Sequence, residues 1–165
     1  IGGKVQVSTV GPNGPWESTP AFTIPSETAN TYTDFTFSAA NSIKAVRYLS
    51  PDGGYGNVAE IEFYNGNTKL TGSFIHDGGG PWNGQQDRTA DKAVDGNPDT
   101  FYDSNNGNGA WVGYSLTDCG GSTGGGGTTC TVNRVRFKFR NVGEPYLDRL
   151  QGAQIQGSTD GTNYT

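Results

Sequence analysis

The stretch Arg134-Val-Arg-Phe-Lys-Phe-Arg140 alternates without a break between cationic and apolar side chains. Successive side chains of an extended chain point to opposite faces, so Val135, Phe137 and Phe139 share one face while Arg134, Arg136, Lys138 and Arg140 share the other. One face in a core and the other in water is the pattern of a half-buried antiparallel strand. Around this stretch, further alternations and short apolar runs lie between clusters of Gly, Pro, Asn and Asp. They predict strands at Val5–Val10, Thr33–Phe37, Ile43–Leu49, Val58–Tyr64, Trp111–Leu116, Val132–Phe139 and Ala153–Gly157. Helical periodicity is not sustained anywhere, although Arg88–Val94 is long enough for one turn. Several strands with irregular connections predict an all-β sandwich.

Composition agrees with that class. The 165 residues include 27 glycines and 8 prolines, which suits short strands joined by elaborate turns and allows one domain. Aromatic residues at 12% offset the low hydrophobic content of 32%, because each buried ring removes a large apolar area from water. A net charge of −5 argues against nucleic acid as a partner, since phosphate contacts depend on Lys and Arg. Membrane insertion is not expected either, because no apolar run is long enough to span a bilayer. The chain begins at Ile1 and has no methionine, which reads as a processed product or an excerpt of a longer polypeptide.

Cys119 and Cys130 bracket a run of Gly, Ser and Thr, a loop easily closed by a disulfide; free thiols in a reducing cell are the alternative. Two cysteines are too few for a protein-only zinc site, and an oxidised pair implies a secreted or cell-surface setting. Asn163-Tyr-Thr165 has the form of a glycosylation sequon. The segment Lys92-Ala-Val-Asp-Gly-Asn-Pro-Asp-Thr-Phe-Tyr-Asp-Ser104 packs oxygen donors and turn formers together. Asp95, Asn97, Asp99 and Thr100 offer side-chain oxygens, while Gly96 and Pro98 bend the backbone, so the segment reads as a calcium-bearing turn. An ordinary acidic turn with nothing bound has the same composition.

Taken in order, Lys92 to Asp103, Ala110-Trp-Val-Gly-Tyr-Ser-Leu116, Arg134 to Arg140 and Gln151 to Tyr164 resemble successive segments of discoidin domains. These are the coagulation factor V/VIII C-type domains, which include the family-32 carbohydrate-binding modules. Val46 to Tyr64 resembles the closing segment of the same family, yet here it comes first. Residues 1–66 thus resemble the family's C-terminal part and 67–165 its N-terminal part. Reading from Asp160-Gly-Thr-Asn-Tyr-Thr165 into Val5-Gln-Val-Ser-Thr-Val-Gly11 rebuilds a segment similar to the family's middle strand, so the pieces complement each other. The resemblance implies one discoidin-like (galactose-binding-domain-like) jelly-roll sandwich in circularly permuted order, with a natural turn at Tyr64–Thr71. The rival is an excerpt of a tandem array, or a polymer whose units exchange strands.

The resemblance also implies residue roles. Similar modules hold a structural calcium ion with loop carbonyls, an Asp, a Thr and a late Glu, which here are the Lys92 carbonyl, Asp95, Asn97, Thr100 and Glu60, with Asp99 as a substitute. Ligands of such modules bind in loops at one end of the sandwich. Tyr55 stands where an aromatic platform is usual, and Arg140 where a ligand-binding arginine is usual. Trp82 and His76 belong to the glycine-rich loop expected at Ser73–Asn83, while Asn105 and Asn106 extend the calcium loop. A sugar needs a flat apolar face and planar hydrogen-bonding groups, and these residues supply both. Most have a plainer reading: Trp82 and His76 as a loop packed by its own tryptophan, the asparagines as turn formers, and Arg140 as a solvated strand-end charge or a partner for Glu144 or Asp148. Trp111, which starts a strand, reads as core.

The function implied is a secreted, non-catalytic module that binds a glycan or polysaccharide. One histidine and no Gly-x-Ser-x-Gly elbow argue against a hydrolytic triad, and the carboxylates form no recognisable glycosidase pair. The alternative is a structural or adhesive subunit of an extracellular fibre or array, self-associating through tandem or strand-exchanged units. Abundant Ser, Thr and Gly suit that surface as well.

Overall fold

The computed structural model describes residues 31–119, 129–140, 149 and 153–164, together with the backbone of Lys4–Val5 and Phe22–Thr23. The rest of the Val5–Val10 expectation, Glu144, Asp148 and Thr165 lie outside the described residues. The strands, in chain order, are β1 (Lys4–Val5), β2 (Phe22–Thr23), β3 (Thr33–Ile43), β4 (Ala45–Leu49), β5 (Glu60–Asn65), β6 (Thr68–His76), β7 (Trp111–Asp118), β8 (Cys130–Lys138) and β9 (Gln154–Ser158). β1 and β2 form a small separate ladder. The others form one antiparallel sheet in the order β3-β8-β5-β6-β7-β4-β9.

That sheet curls, and β6 is where it does so. Phe63, Tyr64 and Asn65 of β5 pair with Leu70, Lys69 and Thr68 in a tight hairpin, while Thr71 to His76 of the same strand pair with β7. The register slips between Thr71 and Gly72. A Cβ at Gly72 would collide with the Ser115 carbonyl, so a side chain there would push β6 and β7 apart. A second crossing joins β3 to β4, where Ser42 takes a positive φ of 61°. The two halves face each other across one core. Val135 and Phe137 of β8, Ile61 and Phe63 of β5, Leu70 of β6, Val112 and Leu116 of β7, Val46 and Tyr48 of β4 and Ile155 of β9 are all buried in it.

The alternation of β8 holds and runs just past its end: Val135, Phe137 and Phe139 are buried, Arg134 and Arg136 are only partly covered, and the Arg140 side chain turns into the loop cluster with 8% exposed. Lys138 departs from it, being 4% exposed because its ammonium reaches over to donate to the Pro98 carbonyl. Three-ten turns at Gln86–Arg88 and Ala90–Ala93 occupy the segment where one helical turn was expected. The structure corrects two expectations. Ser73–His76 is strand rather than loop. Trp111 is half-buried on the outer side of the sheet, under the Arg47 guanidinium and tilted against Tyr164, because Val112 takes the core position. The Cys119–Cys130 disulfide is present, with its Cα atoms 5.3 Å apart, and it joins the end of β7 to the start of β8.

Candidate functional site

Two loops interlock at one end of the sheet: residues 50–59, between β4 and β5, and residues 77–110, between β6 and β7. The amide of Gly53 donates to the Gly107 carbonyl at 2.7 Å, Ser104 to Tyr55 at 2.7 Å, and Tyr102 to Val58 at 2.9 Å. The longer loop is also tied to itself, Trp82 N–H donating to the Asp103 carbonyl at 2.7 Å and Asn105 N–H to Gly80 at 2.9 Å. Two positions show how tightly this end is built. Tyr55 has a φ of 56°, unusual for a bulky residue. Gly56 has a φ of 75°, and a Cβ there would lie 2.5 Å from the Tyr102 ring.

At the centre stand two buried polar residues, Asn57 at 1% and Asp103 at 4% exposure. The Asn57 amide donates to Asp103 Oδ1 at 2.8 Å. Three guanidinium groups converge on this pair. Arg88 and Arg140 donate to Asp103 Oδ2 at 3.3 and 3.2 Å, and Arg140 and Arg149 donate to Asn57 Oδ1 at 2.6 and 3.2 Å. Arg149 also lies 3.9 Å from Asp103 Oδ1. Rings flank the charges: Phe101 lies beneath Arg140 and Arg88, and Tyr55 beneath Arg149. Charge-assisted hydrogen bonds and cation–π contacts of this kind hold a guanidinium in a fixed orientation.

Four of the expected ligand residues come together here. Trp82 stands edge-on to Tyr55, with ring centroids 5.4 Å apart, and at 39% exposure it is the large apolar side chain left open among the described residues. Tyr55 is more enclosed. Arg149 covers one face, Trp82 meets its ring, and Gly107 packs so closely that an added Cβ would touch the phenol. Arg140 has only 8% of its side chain exposed and organises Asn57 and Asp103 from below. Asn105 is exposed beside Gly80. His76 belongs to β6, where it stacks on Phe74 and accepts from the Gly78 amide. Its neighbour Asp77 reaches toward the end loops, accepting from Tyr102 Oη at 2.9 Å and from Asn106 at 3.3 Å.

Sequence reasoning missed Arg88, Arg149, Asn57 and Asp103 as members of this site. Asn57 follows a Gly-Gly-Tyr-Gly run and passes for a turn residue, and the arginines come from segments far apart in the chain. A buried Asn beside a buried Asp carries no local pattern.

The Asp95 loop lies directly before this cluster. Thr100 Oγ1 approaches both Asp95 oxygens, at 3.1 and 3.0 Å, and also the Asn97 carbonyl at 2.9 Å. The Asn97 amide donates to Asp95 Oδ1 at 2.9 Å. The Lys92 ammonium pairs with Asp91 and Asp95. Asp99 is exposed, its amide donating to the Asn97 side chain. Glu60, at the start of β5, is 0% exposed, and its carboxyl lies against Asp95 and the Gly96 amide without a well-formed hydrogen bond to either. Burial first, and then the neighbouring Asp95, push its carboxyl up to about 7.

A buried carboxylate beside a second one is costly; the raised Glu60 carboxyl relieves this by favouring its neutral form, and the Lys92 ammonium pairs with Asp95. No group of three or more His, Cys, Asp or Glu side chains stands together as a metal site among the described residues. The available donors are therefore two carboxylates with neutral oxygens around them, a set that fits a hard, oxygen-seeking cation. The chain matches no family model, and no curated protein or solved structure is similar enough to it to count as a match.

Proposed function

We propose that this chain is a secreted, non-catalytic carbohydrate-binding module of discoidin type. In this reading it is a jelly-roll sandwich in circularly permuted order, with calcium held by Asp95, Asn97, Thr100, Glu60 and the Lys92 carbonyl. The observation that carries the reading is the exposed Trp82 ring beside a cluster of arginine and amide groups fixed by Asp103 and Asn57. A ring of this kind can cover the C–H face of a sugar, while Arg88, Arg149 and Asn105 address its hydroxyls. Calcium would supply positive charge between Glu60 and Asp95 and bind the folded state alone, adding to stability. A glycan array followed by calorimetry on the hit tests the reading: binding that disappears in Trp82→Ala supports it. The reading fails if no glycan binds, or if binding ignores Trp82.

The fibre or array reading draws less support. The exposed Trp82 ring beside fixed guanidinium groups is a feature that a strand-exchanged polymer would not need. Sizing in dilute solution separates the two, a monomer counting against the polymer.

A further inference from the structure

The outer face of the sheet carries a charged group that the end loops do not use. Val46 and Tyr48 of β4 point into the core, so Arg47 between them points outward. Gln156, Arg47, Gly113 and Ile75 lie along one row across β9, β4, β7 and β6. The half-buried Arg47 guanidinium sits in a corner between two rings, 4.0 Å from the centre of Tyr164 and 5.0 Å from that of Trp111. The ring centres are 6.2 Å apart and their planes meet at 39°, so the rings form a wedge rather than a stack. An added Cβ at Gly113 would lie 2.8 Å from the Arg47 Cβ, so the glycine keeps that side of the arginine clear.

This guanidinium is oriented but not neutralised. Its Nε donates to Gln156 Oε1 at 2.8 Å, and the Gln156 amide, in a side chain buried to 2% exposure, donates to Gln154 Oε1 at 2.8 Å. Among the described residues no carboxylate forms an ion pair with Arg47, and its two terminal nitrogens make no hydrogen bond. Asp160, in the turn that leads to Tyr164, is engaged within that turn: it accepts from the Thr162 and Asn163 amides at 2.8 and 2.7 Å, from the Asn163 side chain at 2.7 Å and from Ser158 Oγ at 3.0 Å. A half-buried charge without a counter-charge is costly, and burial lowers the basicity of this one. With Nε taken, the terminal N–H groups remain as a fork, the geometry that matches a planar carboxylate.

We propose that this corner is a ligand site separate from the end loops, and that it takes a uronate, a sugar bearing a carboxylate: Arg47 pairs with the carboxylate, the Trp111 and Tyr164 rings meet the C–H face of the pyranose, and Gln154 addresses a hydroxyl. One positive charge among neutral amides suits a monoanion, whereas a phosphate monoester carries nearly two charges. A peptide held along its backbone needs free main-chain groups, and β4 spends its own on β7 at one side and β9 at the other. Neither Trp82 nor calcium takes part, so the site stands or falls apart from the reading of the end loops.

NMR reads the site directly. Methyl glucuronide and methyl glucoside, which differ only in a carboxylate against a hydroxymethyl group, are titrated separately into the isotope-labelled chain at constant ionic strength, with sodium acetate as a third arm. The Arg47 Nε–H and Trp111 indole N–H signals are expected to shift together with the glucuronide and to stay still with the glucoside and with acetate, while the Trp82 indole reports on the end loops. Arg47→Gln is expected to weaken glucuronide binding about tenfold, the size of one lost charge-assisted contact, with Arg47→Lys between the two. Tyr164→Ala lies outside every strand, so it removes one wall of the corner without touching the ladder and is expected to weaken binding in a chain whose backbone spectrum is otherwise unchanged. The proposal is overturned by signals that stay still with the glucuronide, by equal shifts with the glucoside, by equal shifts with acetate, which mark an adventitious ion only, or by binding that survives Arg47→Gln. A glucuronide that moves the Trp82 indole alone binds in the end loops, which overturns the corner and leaves the glycan reading standing.

Discussion

Asn57 and Asp103 are joined by a 2.8 Å hydrogen bond between two nearly inaccessible side chains, and that bond fixes the acceptors that Arg88, Arg140 and Arg149 use. Buried polar groups of this sort cost more when broken than they contribute when whole. Asp103→Ala is expected to destabilise the fold by about 3–5 kcal/mol, the range for removing one partner of a buried charged cluster. Urea unfolding measures this; a loss under about 1 kcal/mol would show that the cluster is not holding the loops.

Trp82 and Tyr55 are expected to separate in their effects. Trp82→Ala removes a half-open ring whose main contact is its edge-on pairing with Tyr55, so stability should fall by no more than about 1.5 kcal/mol, while glycan affinity falls by tenfold or more. Tyr55→Ala is expected to lose both, because its ring is packed by Gly107, Trp82 and Arg149. Melting temperature and calorimetric affinity, measured on the same preparations, decide the matter.

Glu60 gives a pH signature to the metal-free chain. Its carboxyl is raised from an ordinary 4.5 to about 7, so folding favours the protonated form. The contribution is fully present below pH 4.5 and is lost as pH rises through 7. With chelator present, thermal stability should therefore fall between pH 4.5 and 7, apart from the common background of other groups. Glu60→Gln should remove that component and leave the metal-free protein more stable at pH 8.

Calcium should reverse the trend. The ionised carboxylate is the ligand form, so stabilisation by calcium grows as pH rises. At a hundred times the dissociation constant the gain is about 2.7 kcal/mol, worth roughly 5–10 °C in a chain of this size. Differential scanning calorimetry with calcium or chelator at pH 8 reads it, and Glu60→Gln should show no response.

The core supplies a control that touches neither site. Phe63 is 0% exposed on β5, edge-on to Tyr114 across the fold. Phe63→Ala should cost about 3–5 kcal/mol, measured by denaturant midpoint. A smaller loss would mean that the two halves of the curled sheet do not depend on a common core.

What could be read in the sequence was what is encoded locally. β8 was plain because its two faces differ at every position from Arg134 to Lys138. β6 was hidden because only Leu70 along it is fully buried; the strand is held by ladder bonds on both sides and carries no apolar alternation. The Asp95 turn is legible for the same reason as β8, its turn formers and oxygens lying close together in the chain. Glu60 is remote, and only the family resemblance pointed to it. Of the arginine cluster only Arg140 was expected, through the family resemblance; Asn57, Arg88, Asp103 and Arg149 are brought to it by the interlocking loops rather than by any motif.

The Cys119–Cys130 bond turns the chain between β7 and β8 into a covalent ring. A peptide bond cut anywhere inside that ring leaves a single molecule, with β7 still fastened to β8 by sulfur. Cleavage there would be silent on a non-reducing gel and visible only after reduction. The ring is thus a place where the polypeptide can be opened, or lengthened by an inserted tag, without separating the strands it connects.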